Sequence, residues 1–141
     1  MIDLIVFSVD KNKYAINIEN VQRIIQAVEL SSIPNAHPYI DGMMSYEDSV
    51  VKVLNFRKVV GLEDKKDKNL SDSSQKFLFY ENTENKFAVN IDSIDDIAHI
   101  QESDIMSADD DNVNNEFLDF DGILDIDGVL INIIKTIKLP N

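Results

Sequence analysis

At 141 residues the chain has the length of one ordinary domain or of two very small ones sharing a core, and its 44% hydrophobic content excludes wholesale disorder. A net charge of −13 argues against nucleic acid and anionic membrane surfaces as ligands, because both would repel the chain, and leaves a basic partner as the one that would be steered. The absence of cysteine excludes a disulfide framework and a thiolate metal centre, and it fits a reducing compartment.

The N-terminal "MIDLIVFSVDK" has neither a basic n-region nor a small-residue cleavage site. No window approaches the roughly 18 apolar residues of a membrane span, so a soluble, cytoplasmic protein is expected. "LIVFSV" and "YAINI" flank the polar "DKNK", which predicts a hairpin. In the second run Tyr14, Ile16 and Ile18 alternate with Ala15, Asn17 and Glu19, the period of a strand. "VQRIIQAVEL" is either a further extended segment or a strand entered by a short turn. Pro34 and Pro38 bar a long helix and predict a loop. "GMMSYED" and "SVVKVLNF" read as a second hairpin, with a single helical turn in "RKVVGL". Residues 63–75 are nearly all charged or small and polar, the composition of a solvated linker. "KFLFYENTENKFAVNI" then gives strand, polar turn, strand. "DSIDDIAHI" and the acidic loop "SADDDNVNNE" lead to "FLDFDGILDI" and "VLINIIKTIKL", the latter ending as a strand or a short helix.

The chain writes one phrase twice. "KYAINIENV" at 13–21 returns as "KFAVNIDSI" at 86–94, with Lys13/Lys86, Ala15/Ala88, Asn17/Asn90 and Ile18/Ile91 identical. Asp41-Gly42 and Asp121-Gly122 recur 80 positions apart, each followed by an apolar pair, a tight turn and an apolar strand. Two matches in the same order point to an internal duplication, with two small β-units that bury their strands against each other.

These segments resemble the CheW-like family of chemotaxis coupling proteins. The resemblance runs from Leu4 to Leu139 and is most specific in "FSVDKNKYAINIENVQRII", "IPNAHPYIDGMM" and "VVKVLNFRKVVGL". Phe7, Tyr14, Ala15, Ile16, Val21, Ile24, Ile33, Pro34, Pro38, Tyr39, Ile40, Gly42, Val51, Val53 and Arg57 all fall in register with the family pattern. The resemblance implies an all-β fold with short helical turns: two tandem five-stranded SH3-like β-barrels related by duplication, within a single domain spanning 1–141. The first barrel would cover about 13–62 and the second about 76–134, joined by the linker 63–75, with the terminal segments crossing between them. The family's N-L-R-G step is "SYED" in this chain, with Glu47 for its arginine and Asp48 for its glycine. Lys52 stands for its proline, Asn55 for the aspartate of its D-L-R, and Arg23 for its acidic residue. In family members that acid and that arginine face each other across the first barrel, so the double inversion predicts an Arg23–Glu47 pair of reversed polarity.

The resemblance further implies a non-enzymatic adaptor between the cytoplasmic tip of a chemoreceptor and the regulatory domain of a CheA-type histidine kinase. Recruitment to receptor arrays at the inner face of the membrane would follow. The receptor helix would lie between the barrels at Val21 and the Gly42 to Val50 region. The kinase would meet the first barrel around Arg23, Glu47 and Arg57, and the altered step at Glu47 and Asp48 bears on which partner is selected. A divergent interaction module of a pathway other than chemotaxis is the alternative. No cofactor is expected. His37 and His99 lack a cysteine or a His-x-x-x-His partner, and there is neither a phosphate-cradling glycine loop nor a G-x-S-x-G step, so catalysis is not expected. "DDNVNNEFLDFD" places Asp110, Asn112, Asn114 and Asp121 at positions one, three, five and twelve of a calcium loop. Asn115 stands where that loop requires glycine, and strands flank it in place of helices, which leaves a solvated acidic loop as the stronger reading.

Overall fold

The structure is a computed structural model that describes residues 1–62, 75–83, 85–107 and 116–140. The predicted hairpins form as β1 (Ile2–Val9) with β2 (Asn12–Asn17), and β4 (Ile40–Tyr46) with β5 (Ser49–Asn55). Between them a 3₁₀ turn (Ile18–Asn20) leads into β3 (Val21–Gln26), the strand entered by a short turn. The expected helical turn is α1 (Phe56–Val59), capped by the Asn55 side chain, which accepts the Lys58 N–H at 3.2 Å. The second half supplies β6 (Lys76–Glu81), β7 (Lys86–Ile91), β8 (Ser93–Ile100), β9 (Leu118–Ile126) and β10 (Val129–Ile137). The last of these ends as a strand.

The strands form two five-stranded sheets. Sheet I has the order β8-β1-β2-β10-β9 and sheet II the order β3-β6-β7-β5-β4. Exchanging the halves of the chain turns one order into the other, strand for strand. The details repeat as well. A bulge follows Val21 on β3 where it meets β6, and another separates Val6 from Phe7 where β1 meets β8. Asp41 and Asp121 are each skipped by the ladder, and the glycines after them have φ of 155° and 157°. A Cβ on either glycine would come within 3.0 Å of a carbonyl oxygen, Ser31 for Gly42 and Met106 for Gly122. Those two residues form the isolated bridges Ser31↔Met43 and Met106↔Ile123, which tie the chain after β3 to β4 and the chain after β8 to β9. The duplicated phrase is therefore a duplicated β-unit.

The boundary at 63–75 is not where the sheets divide. β2, expected in the first unit, lies in sheet I and runs parallel to β10 at Asn132↔Tyr14 and Ile133↔Ala15. β6 and β7, expected in the second unit, lie in sheet II, where β7 runs parallel to β5. Each half lends its first hairpin to the other half's sheet. A period-2 pattern states which face of a strand is apolar and is silent about which strand lies beside it.

This exchange buries both faces of the central strands. Ile5, Phe7, Tyr14 and Ile16 from sheet I meet Leu54, Leu78, Tyr80, Phe87 and Val89 from sheet II in one shared core. The alternate residues Leu4, Val6 and Ala15 pack inside sheet I with Leu124 and Ile131, and Val51, Val53, Phe77 and Phe79 pack inside sheet II. The continuous run Leu4–Phe7 follows from being buried on both sides. Ala15, on the face of β2 opposite Tyr14 and Ile16, is fully buried, whereas Ile18 stands in the 3₁₀ turn and is partly exposed.

Candidate partner-binding site

Arg23 lies on β3 and Glu47 at the tip of the β4–β5 hairpin. The two-residue turn there is Glu47-Asp48, with φ of 45° and 65°, the geometry that joins tightly twisted strands. Aspartate tolerates the left-handed position that the family's glycine would occupy. Arg23 Nη1 lies 3.3 Å from Glu47 Oε1 and also donates to the Tyr46 hydroxyl. The guanidinium sits 4.9 Å from the centre of the Tyr46 ring, which is itself braced edge-on by Phe79 at 5.0 Å. Since β3 and β4 are the two edges of sheet II, this contact spans the sheet's open side beside the Ser31↔Met43 bridge.

The Arg23 and Glu47 side chains are 43% and 68% exposed. Such an ion pair contributes about 0–1 kcal/mol, and the cation–π contact adds about 0.5–1 kcal/mol at an exposed site. The stability gained is small, and the positional definition is large. Asp48 is exposed at the same tip and Val50, 69% exposed, follows on β5, so Arg23, Glu47, Asp48 and Val50 make one open rim.

Three further residues expected at the partner surface lie off this rim. Val21 opens β3 half-buried against the shared core. Gly42 is buried in its bulge, where it lets β4 close on Ser31 and offers no side chain to a partner. Arg57 sits at the other end of β5, whose seven residues at about 3.3 Å each put it some 20 Å from the rim. Its side chain is 14% exposed and is held by Asp92 at 2.8 and 3.2 Å and by Asp10 at 3.4 Å. Those hydrogen bonds, the Asp92 one foremost, raise its pKa further above an already high value, against the opposing effect of burial. Arg57 is an internal tie between α1, the β1–β2 turn and the residue joining β7 to β8.

Sequence reading missed a polar network at the end of β4 and β5 far from the rim. Asp41, left out of the ladder by its bulge, accepts from Asn55 Nδ2 and from Asn90 Nδ2, each at 3.1 Å. Gln75 donates to Asn90 Oδ1 at 2.8 Å. The signal was in the repeat, where the asparagine of "AIN" and "AVN" is retained although a solvated position would not require it. Tyr46, the platform under Arg23, left no signal beyond standing beside Glu47.

His37 Nδ1 accepts the Tyr39 N–H at 3.1 Å, and its ring packs on Tyr39 and Phe117, so it fastens the proline loop to the chain entering β9. His99 pairs with Asp3 at 2.6 Å. Of the calcium-loop residues, Asp110, Asn112 and Asn114 lie outside the described residues, and Asp121 is exposed on β9. Among the described residues no group of three or more His, Cys, Asp or Glu side chains is placed to hold a metal, and no helix is long and apolar enough to cross a membrane.

The fold and the sequence both have relatives. A CheW-like domain matches residues 3–140. The chemotaxis protein CheW of Thermotoga maritima is 19% identical over 60 residues, a stretch covering 43% of this chain and 40% of that protein's length. The crystal structure of the scaffolding protein TtCheW from Thermoanaerobacter tengcongensis matches with a TM-score of 0.82 and 21% identity, covering 95% of this chain and 84% of that one. This second likeness is one of fold, whereas the domain match extends over nearly every residue, and by it the chain belongs to the CheW-like family.

Proposed function

We propose that this chain is a non-enzymatic chemotaxis adaptor that couples the cytoplasmic tip of a chemoreceptor to the regulatory domain of a CheA-type histidine kinase. The adaptor works in the cytoplasm and is recruited to receptor arrays. The observation that carries the reading is the Arg23–Glu47 pair, 3.3 Å apart on an exposed rim with its charges inverted relative to the family pattern. A pair that adds little stability and stands on an exposed rim with inverted charges suits recognition, because charge patterns at a rim select partners more than they add affinity. The kinase meets the rim at Arg23, Glu47 and Asp48. The receptor helix lies along the neighbouring seam at Val21.

Calorimetric titration against the regulatory domain of a CheA-type kinase from the same genome tests this. Saturable binding is expected, weakened about tenfold or more by Glu47→Arg, the scale of a mispaired interfacial charge. Arg23→Glu combined with Glu47→Arg restores the family polarity, and it should keep thermal stability close to that of the unaltered chain while failing to recover affinity for that kinase. The inversion also favours a second reading, an interaction module of a pathway outside chemotaxis. Absence of binding to any such kinase would select that reading.

A further inference from the structure

The duplication gives sheet I its own version of the Arg23 rim, and there the residues differ. By the matching bulges and turns, Asp96 on β8 takes the place of Arg23, Ile126 that of Tyr46, and Asp127 that of Glu47. Ala98 likewise takes the place of Ile25. In sheet II the large side chains Ile25, Met44 and Tyr46 pack against the sheet's inner core. The shorter Ala98 and the unbraced Ile126 leave space between β8 and β9, the two edges of sheet I, and that space is a groove of about 410 Å³. Ala98, Leu124 and Ile126 give it an apolar lining, and Asp96, Asp104 and Asp125 line it with charge.

None of these three carboxylates has a basic partner among the described residues. Asp96, Asp104 and Asp125 accept only backbone N–H groups, from Ile97, Gln101 and Gly128. His99 on the same wall is engaged by Asp3. The hairpin beside the groove exposes Val129 and Leu130, 44% and 58%, next to Ile126. The position that sheet II fills with its own guanidinium is thus, in sheet I, an open apolar slot with a negative rim. The chain's own "ADDDNVNN" at 108–115 carries the wrong sign to neutralise it.

We propose that the groove between β8 and β9 receives an extended segment of a partner protein that presents an arginine beside an apolar side chain. The arginine takes in trans the place that Arg23 takes in cis. The apolar neighbour covers Leu124 and Ile126. Arginine is preferred to lysine because a planar guanidinium engages two carboxylates at once and stacks on apolar surface. The surface is separate from the Arg23 rim, so it stands whether or not the kinase reading holds.

The test is a two-dimensional NMR titration of the full ¹⁵N-labelled chain with the blocked peptide Ac-VQRIIQA-NH2, the sequence of residues 21–27. Saturable shifts are expected at the amides of Ala98, Leu124 and Ile126. Affinity should drop about fivefold or more when the peptide's arginine is replaced by glutamine, or when the protein carries Asp96→Asn with Asp125→Asn, the scale of an exposed charge contact. Asparagine can still accept the local N–H groups, so the variant should keep its fold, and an unchanged spectrum outside the groove checks this. No shifts at these amides would overturn the proposal. So would shifts indifferent to the arginine and to both aspartates, which would mean apolar adhesion only. Concentration-dependent shifts at the same amides without peptide would overturn it in favour of a second copy of the chain as occupant.

Discussion

Asn55 shows how one side chain accounts for a departure from the family pattern. It is 7% exposed, its Oδ1 caps α1, and its Nδ2 donates to the bulged Asp41. An aspartate, which the family carries here, would cap the helix equally well and would set a carboxylate against Asp41 in place of a donor. Asn55→Asp should therefore destabilise the protein by about 1–3 kcal/mol at neutral pH. The sign of the pH dependence follows from the pairing. The introduced carboxyl, beside another one, has its folded pKa raised above the unfolded value of about 3.9, so the folded state takes up the proton first. The loss is full at neutral pH and fades as pH falls through the raised value, which urea unfolding of both proteins between pH 7 and pH 4 would measure. Asp48 is the converse case. At φ 65° in the turn it bears a cost that glycine escapes, and the matching turn of sheet I uses Gly128 at φ 86°. Asp48→Gly should stabilise by about 0.5–1 kcal/mol, read as a higher urea midpoint.

At the scale of elements, what was legible in the sequence and what was not divide along physical lines. Tyr14 and Ile16 alternate with Ala15 and Asn17, and the turn residues Asp10-Lys11 and Glu47-Asp48 punctuate the apolar runs, so strands and hairpins could be read directly. The Arg23–Glu47 contact was legible because two charge inversions had to answer each other. Hairpin exchange was not, since strand pairing leaves no mark in the period of either partner. Arg57 read as a surface cation because a charge carries no sign of its burial, and its partners Asp10 and Asp92 lie far from it in sequence. The glycines were visible as a repeat, but their purpose needed the bridges. Gly122→Ala should place a methyl against the Met106 carbonyl at a φ of 157° that alanine rarely adopts. The expected cost is about 1–3 kcal/mol. The Ile123 and Met106 amides, which bond to each other's carbonyls at 2.8 Å, should lose hydrogen-exchange protection before the rest of sheet I.

For the whole molecule, the exchange of hairpins makes two sheets into one folding unit, and Phe56 is where that claim can be tested. It belongs to α1, directly after β5 of sheet II, yet its ring packs edge-on against Phe7 at 5.4 Å and Tyr14 at 4.8 Å, both from sheet I. It is fully buried. Truncating such a ring removes its transfer free energy and leaves a cavity that stiff neighbours cannot fill, and the expected cost is about 3–5 kcal/mol. If the sheets were independent units touching at a surface, Phe56→Ala would separate their unfolding into two steps. With β2 held between β1 and β10, and β7 between β6 and β5, neither sheet keeps its central strands once the other half of the chain is lost. A single transition at a lower denaturant midpoint is therefore expected, with far-ultraviolet and near-ultraviolet circular dichroism coincident and the slope unchanged. A resolved second transition in the variant would show that the shared core joins two units that fold separately. A partner on the Arg23 rim would then have no rigid path to the groove of sheet I. One cooperative transition means that both surfaces are carried on a single body, the condition an adaptor needs to hold two partners in fixed relation.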